Sequence, residues 1–91
     1  MVTLEKKMVI QNKLGLHARA SAKLVTEAKR YASEIKLIKE NKSINAKSIM
    51  GVMMMALTKG TEFVLCAEGD DAECALAAVE TLINNRFGEA E

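Results

Sequence analysis

The sequence predicts an α+β open-faced β-sandwich: a single sheet with helices on one face and water on the other. Three observations carry this. The hydrophobic period switches between 2 and 3.6 along the chain in the order βαββαβα, with no linker, repeat or low-complexity stretch between elements. Polar residues Lys7, Glu34, Lys36 and Glu62 alternate with the apolar strand positions, so one sheet face is built to meet water. A chain of 91 residues buries only roughly 60–65% of its unfolded surface, enough for one helix layer on one sheet.

Met8 and Ile10, with Leu4 as an earlier member, alternate with polar neighbours and mark the first strand. Asn12-Lys13-Leu14-Gly15 interrupts it, and Gly15 is the natural place for a positive φ in that turn. Over 18–29, Ala18, Ala22, Leu24, Val25 and Ala28 follow helical spacing in an Ala-rich run free of Gly and Pro. Ile35 and Leu37 alternate with Glu34, Lys36 and Lys39 as the second strand, and a tight turn at Asn41-Lys42 leads to a short third strand at Ile44. Ser48 opens a Met-rich helix over 49–57, stopped by Gly60, with Val52, Met55 and Ala56 toward the core. Phe63, Leu65 and Ala67 alternate with Glu62, Val64 and Cys66 as the fourth strand. Asp70 and Glu73 have capping-box spacing before the stripe Ala75, Leu76, Val79, Leu82 and Ile83. Gly88 ends that helix, and residues 85–91 read as an acidic tail that frays. Residues 1–91 are expected to form one domain.

Apolar residues at 49% and charged residues at 27% describe an ordinary globular chain. No apolar run approaches the ~20 residues of a membrane span, and Glu5, Lys6 and Lys7 break any signal-peptide core at the start. A cytoplasmic setting without membrane insertion is expected. Thirteen basic and twelve acidic residues leave a charge of +1, which excludes the strongly basic profile of a general nucleic-acid binder. The charges are segregated, however. Five basic residues face one acidic residue over 12–30, whereas seven acidic residues face one basic residue over 68–91. The basic stretch suits an anion or an acidic partner. Cys66 and Cys74 form no CxxC pair, and the lone His17 completes no zinc set with them. They read as reduced structural thiols, and neither a metal nor a cofactor is expected.

The most informative stretch is Asn12-Lys13-Leu14-Gly15-Leu16-His17-Ala18-Arg19-Ala20-Ser21. His17 follows a glycine turn and opens an amphipathic helix, so it falls at or near the N-cap. Free backbone N–H groups point outward there, and the helix dipole is positive. A phosphate on this imidazole would meet those donors without a dedicated pocket. Arg19 can offer planar donors to the same oxygens, and a neutral imidazole offers a nucleophilic nitrogen near pH 7. Taken alone, a histidine in this place also fits a capping or surface role.

The wider constellation resembles the HPr family, the histidine-containing phosphocarriers of the bacterial phosphoenolpyruvate-dependent sugar phosphotransferase system. The histidine stretch matches the family's phosphohistidine motif. Asn45-Ala46-Lys47-Ser48-Ile49-Met50-Gly51-Val52-Met53 matches its second hallmark, and the fourth strand with its flanking turns fits as well. The likeness covers roughly residues 2–87 in the same element order. It implies a four-stranded antiparallel sheet in the order 1-4-2-3 with three helices on one face. It also implies that His17 accepts the phosphoryl group at Nδ1, that Arg19 stabilises it, and that Ser48 corresponds to a regulatory serine modified in some bacteria by HPr kinase/phosphorylase. The implied protein partners are enzyme I as donor and enzyme IIA as acceptor, served by a monomeric carrier that is not itself an enzyme. Many members have Pro after the motif arginine, where this chain has Ala20.

Ser48 is also a good helix cap in its own right. A short helix cannot bury every side of Ile49 to Met55, so Ile49, Met50 and Met53 are expected to form an exposed, adaptable patch. The docking surface implied by the resemblance joins them to Ala18, Arg19, Ala22, Lys23 and Lys29. Two other readings remain at this level. One is a nitrogen-branch or purely regulatory member of the same family. The other is an RNA- or ligand-binding sandwich, for which Tyr31, Phe63 and Phe87 are a poor supply of stacking rings.

Overall fold

The computed structural model describes residues 2–91. Its elements are β1 (Val2–Val9), α1 (Ala18–Ala28), β2 (Glu34–Lys39), β3 (Lys42–Asn45), α2 (Ile49–Met54), β4 (Glu62–Gly69) and α3 (Ala72–Asn84), followed by a 3-10 turn, Arg86–Gly88. The strands form one antiparallel sheet in the order β1-β4-β2-β3, which agrees with the open-faced sandwich read from the residues and with the strand order implied by the resemblance. β4 lies inside the sheet, and its alternation is the cleanest: Phe63, Leu65 and Ala67 are buried. These side chains meet Ile35 and Leu37 of β2 and, from the helices, Leu24, Val25, Ala75, Val79 and Ile83 in one core. Lys7, Glu34, Lys36 and Glu62 are exposed on the far face. Phe63 and Phe87 are both buried, so neither offers a ring for base stacking.

Several boundaries differ from the sequence reading, each for a local reason. The β2–β3 turn falls at Glu40-Asn41, one residue early, because Lys39 pairs with Lys42 and Glu40 takes the left-handed φ of 55°. α2 stops at Met54, short of 57, because the chain turns left-handed at Ala56 (φ 50°) to return Leu57 to the core. Ala56 is accordingly exposed, whereas Val52 and Met55 are buried as expected. In α1, Ala18 faces solvent and the buried face is Ala20, Ser21, Leu24, Val25 and Ala28. Ser21 tolerates this because its hydroxyl donates to the Leu16 carbonyl at 3.0 Å. Asp70 does not cap α3. Asp71 stands at the N-cap, and its carboxylate turns instead to the loop before β2, accepting from the Ala32 and Ser33 amides at 2.9 Å each and from the Ser33 hydroxyl.

The largest departure concerns the end of the chain. α3 ends at Asn84, ahead of Gly88, and residues 86–91 fold back onto the start of α1 where a frayed tail was expected. Phe87 is the reason: it is the most voluminous of the fully buried side chains, and its burial carries the tail with it.

Candidate functional site

The site is assembled by the turn that precedes α1. Gly15 has φ +67°, and a Cβ there would run into the Leu57 carbonyl oxygen and lie 3.0 Å from Thr58 Cα. Only glycine satisfies both the conformation and the space. The next amide, Leu16, donates to the Leu57 carbonyl at 2.9 Å, and its side chain is buried. His17 is thereby placed at the N-cap of α1 with extended backbone, φ −72° and ψ 179°.

His17 is partly buried, its side chain 28% exposed, and both ring nitrogens have partners. Nδ1 accepts from the Arg19 amide at 3.3 Å. Nε2 meets Oε2 of Glu89, a residue 72 positions away in the chain. An amide only donates and an ionised carboxylate only accepts, so the neutral ring carries its hydrogen on Nε2 and its free lone pair on Nδ1. The first intrahelical bond of α1 runs from the Ser21 amide to the His17 carbonyl at 2.8 Å. The amides of Ala18, Arg19 and Ala20 precede it, so Nδ1 sits at the positive end of the helix.

Glu89 is held as firmly as it holds. Its Oε1 accepts from Asn12 Nδ2 at 3.0 Å, and the same amide group donates to the Gly15 carbonyl at 2.8 Å. The His17 hydrogen bond leads in keeping the Glu89 carboxyl below the ordinary glutamate value, helped by the bond from Asn12 and the charge of Lys23, against the opposing effect of desolvation. Lys23 Nζ donates to the Phe87 carbonyl at 2.7 Å. The Lys13 amide donates to the Glu91 carbonyl at 3.0 Å, while their side chains pair loosely at 3.6 Å.

The Arg19 side chain is exposed, makes no ion pair among the described residues, and lines a shallow depression with Lys13, His17 and Glu89. An anion arriving at Nδ1 would replace one long amide bond and meet the helix-start amides and a free guanidinium. Of the other residues singled out from the sequence, Ala18 on α1 and Lys29 at its C-cap are exposed, Ala22 is half-buried, and Lys23 is committed to the tail. Ser48 caps α2, its Oγ accepting from the Gly51 amide at 3.1 Å. Ile49, Met50 and Met53 are exposed as expected. Met54 joins them at 75% exposure, an addition that its i, i+4 relation to Met50 could have revealed.

Sequence reasoning missed Asn12 and Glu89 as site residues. The one available signal was the charge segregation, which sets an acidic tail against a basic first helix. Among the described residues no cluster of His, Cys, Asp or Glu could hold a metal ion, and no helix is long and apolar enough to cross a membrane.

Comparison with known proteins identifies the family. The family described as "PTS HPr component phosphorylation site" matches residues 4–85. The phosphocarrier protein HPr of Cupriavidus necator is 48% identical over 88 residues, covering 97% of this chain and 99% of that protein. The phosphocarrier protein NPr of Shewanella violacea is 39% identical over 90 residues, covering 99% of each chain. The crystal structure of HPr from Thermoanaerobacter tengcongensis superposes with a TM-score of 0.93 at 45% identity, covering 97% of this chain and 99% of that one. A helix-capping histidine on an open-faced sandwich of this order, with full-length likeness in sequence and in structure, means that this chain belongs to the HPr family of phosphocarrier proteins of the phosphotransferase system.

Proposed function

We propose that the protein accepts a phosphoryl group on Nδ1 of His17 from a phosphohistidine of enzyme I, charged by phosphoenolpyruvate, and passes it to a histidine of an enzyme IIA. The observation that carries this reading is the placement of His17 Nδ1, with its lone pair, at the N-terminus of α1. The incoming group carries negative charge and meets the amide donors of the helix start, with the exposed Arg19 guanidinium on the same depression to join them as charge develops. His17 acts as nucleophile on loading and as leaving group on unloading. The donor and acceptor proteins complete each active site, which makes the chain a stoichiometric relay rather than an enzyme. A monomeric carrier in a cytoplasmic setting goes with such a relay.

Docking is assigned to the exposed Ile49, Met50 and Met53 of α2 with Ala18, Arg19 and Ala22 of α1 and Lys29 at its C-cap. Lys23 serves there only through its stem, since its ammonium is engaged by the tail. Ser48 is the regulatory position, open to an ATP-dependent HPr kinase/phosphorylase and half-exposed at the start of the docking helix. Its phosphorylation changes docking rather than chemistry.

The likeness to an NPr supports a second reading, a nitrogen-branch or regulatory carrier with the same chemistry. The acceptor that draws label from the phosphorylated protein separates the two. For the reading as a whole, incubation with enzyme I and labelled phosphoenolpyruvate is expected to place one acid-labile phosphoryl group on the wild type and none on His17→Ala. The chain holds a single histidine. Acid-labile label in that variant, or its absence from the wild type, overturns the assignment.

A further inference from the structure

We propose that Glu89 is a positioning residue for phosphoryl exchange at His17. With its carboxylate on Nε2, it would fix the ring hydrogen there, leave Nδ1 as the nucleophile, and balance the positive charge that the ring gains as the N–P bond forms. The proposal rests on the carrier reading and adds to it a residue from the opposite end of the chain. The logic is that of a carboxylate behind a catalytic histidine, which orients the ring and stabilises the imidazolium without taking its proton.

The tail is built to deliver this carboxylate. Arg86, Phe87 and Gly88 all have positive φ, 56°, 55° and 80°. For two non-glycine residues in succession this conformation persists only where the surroundings impose it. Burial of Phe87 and the bond from Lys23 Nζ to its carbonyl supply that constraint. The Gly88 and Glu89 amides donate to the Asn85 and Arg86 carbonyls at 3.0 and 2.9 Å, closing the turn. Both carboxylate oxygens of Glu89 are then engaged, Oε1 by Asn12 and Oε2 by His17. Asn12 is buried, and rotating its amide by half a turn would set its oxygen against the oxygens of Gly15 and Glu89, so its donor direction is fixed. The charged groups around the ring are Lys13 and Arg19 on the α1 side, Lys23 behind Phe87, and Glu89 and Glu91 on the tail. Glu89 is the one among them in contact with the ring.

In the transfer step the Nδ1 lone pair forms the new bond to phosphorus. The bond from phosphorus to the donor ring's nitrogen breaks, and its electron pair stays with that ring. The hydrogen on Nε2 does not move, so the His17 ring becomes cationic while the carboxylate across the ring balances the charge. On unloading, the pair returns to Nδ1 and the original neutral ring is regenerated.

The test compares wild type, Glu89→Ala and Glu89→Gln as full chains, with imidazole-labelled protein for NMR and phospho-enzyme I for kinetics. The wild type is expected to give a downfield, exchange-protected Nε2–H signal. Glu89→Ala loses that protection and transfers about 10–100-fold more slowly at saturating phospho-enzyme I, the range set by loss of one hydrogen bond to a charged group. Glu89→Gln keeps an acceptor without charge, so it regains the protected signal and only part of the rate. A wild-type maximal rate in Glu89→Ala, or no protected Nε2–H signal in the wild type, overturns the role of Glu89 while labelled wild type leaves the carrier reading intact. Wild type that takes no label overturns both.

Discussion

Arg19 contributes two separate groups to the site. Its backbone amide bonds His17 Nδ1 at 3.3 Å, and its guanidinium stands exposed beside the ring. Arg19→Ala removes only the second. The variant is therefore expected to fold with an unchanged thermal midpoint and to be phosphorylated still. It should load about 10–100-fold more slowly, the equivalent of one charge-assisted hydrogen bond of about 1.5–3 kcal/mol. Initial rates from phospho-enzyme I check this, and wild-type rates would remove the guanidinium from the site. Ala20 is fully buried against the core, and α1 starts at Ala18 without help from a proline ring. At this scale the sequence was half legible. Gly15, His17 and Arg19 fall within five positions, so turn chemistry and helix spacing bring them together. Asn12 and Glu89 escaped because their contact depends on left-handed backbone at Arg86 and Phe87, residue types whose propensities give no sign of it.

Among the elements, α2 tests the division between capping and regulation. Ser48→Ala removes the acceptor for the Gly51 amide and is expected to cost about 1 kcal/mol of stability with transfer unchanged. Ser48→Asp keeps a good cap and adds one charge at a helix start, where it is tolerated. That charge would be desolvated when a partner covers Met50 and Met53, so docking is expected to weaken about tenfold, or about 1.4 kcal/mol. Titration of enzyme I binding beside thermal unfolding separates the two effects. Equal binding by wild type, Ser48→Asp and serine-phosphorylated protein would leave Ser48 as a cap alone. The helix itself was legible as a Met-rich segment opened by serine, but its end was not. Gly60 was the visible stop signal, whereas the chain leaves the helix earlier so that Leu57 can fill the core and receive the Leu16 amide.

Across the whole molecule, period-2 and period-3.6 patterns sufficed for the layer order because a 91-residue chain has room for only one helix layer on one sheet. The capping box at Asp70 and Glu73 misled because spacing within a helix start says nothing of a loop nearly forty residues earlier in the chain. Asp71 ties that loop, at the C-terminal end of α1, to the start of α3. The Ser33 hydroxyl and the Ala32 amide lead in holding its carboxyl below the ordinary aspartate value, with desolvation opposing them. A carboxyl depressed in the folded state contributes stability above its unfolded value, ~3.9, and loses it as pH falls through the lower folded one. The advantage of wild type over Asp71→Ala is therefore expected to be complete at pH 7 and to close below pH ~3.9. Urea midpoints at pH 7, 4 and 2.5 follow it, and a gap that persists at the lowest pH would assign the effect to packing instead. At the other end of α1, Leu57 O takes the amide of the residue before His17, and Gly15 leaves no space for a side chain between the two segments. The chain leaving the methionine helix and the chain carrying the histidine are thus joined directly, backbone to backbone. On the proposed docking surface, a partner that clamps α2 is therefore expected to shift the aim of the imidazole in the same act, so that substitutions at that joint move grip and alignment together.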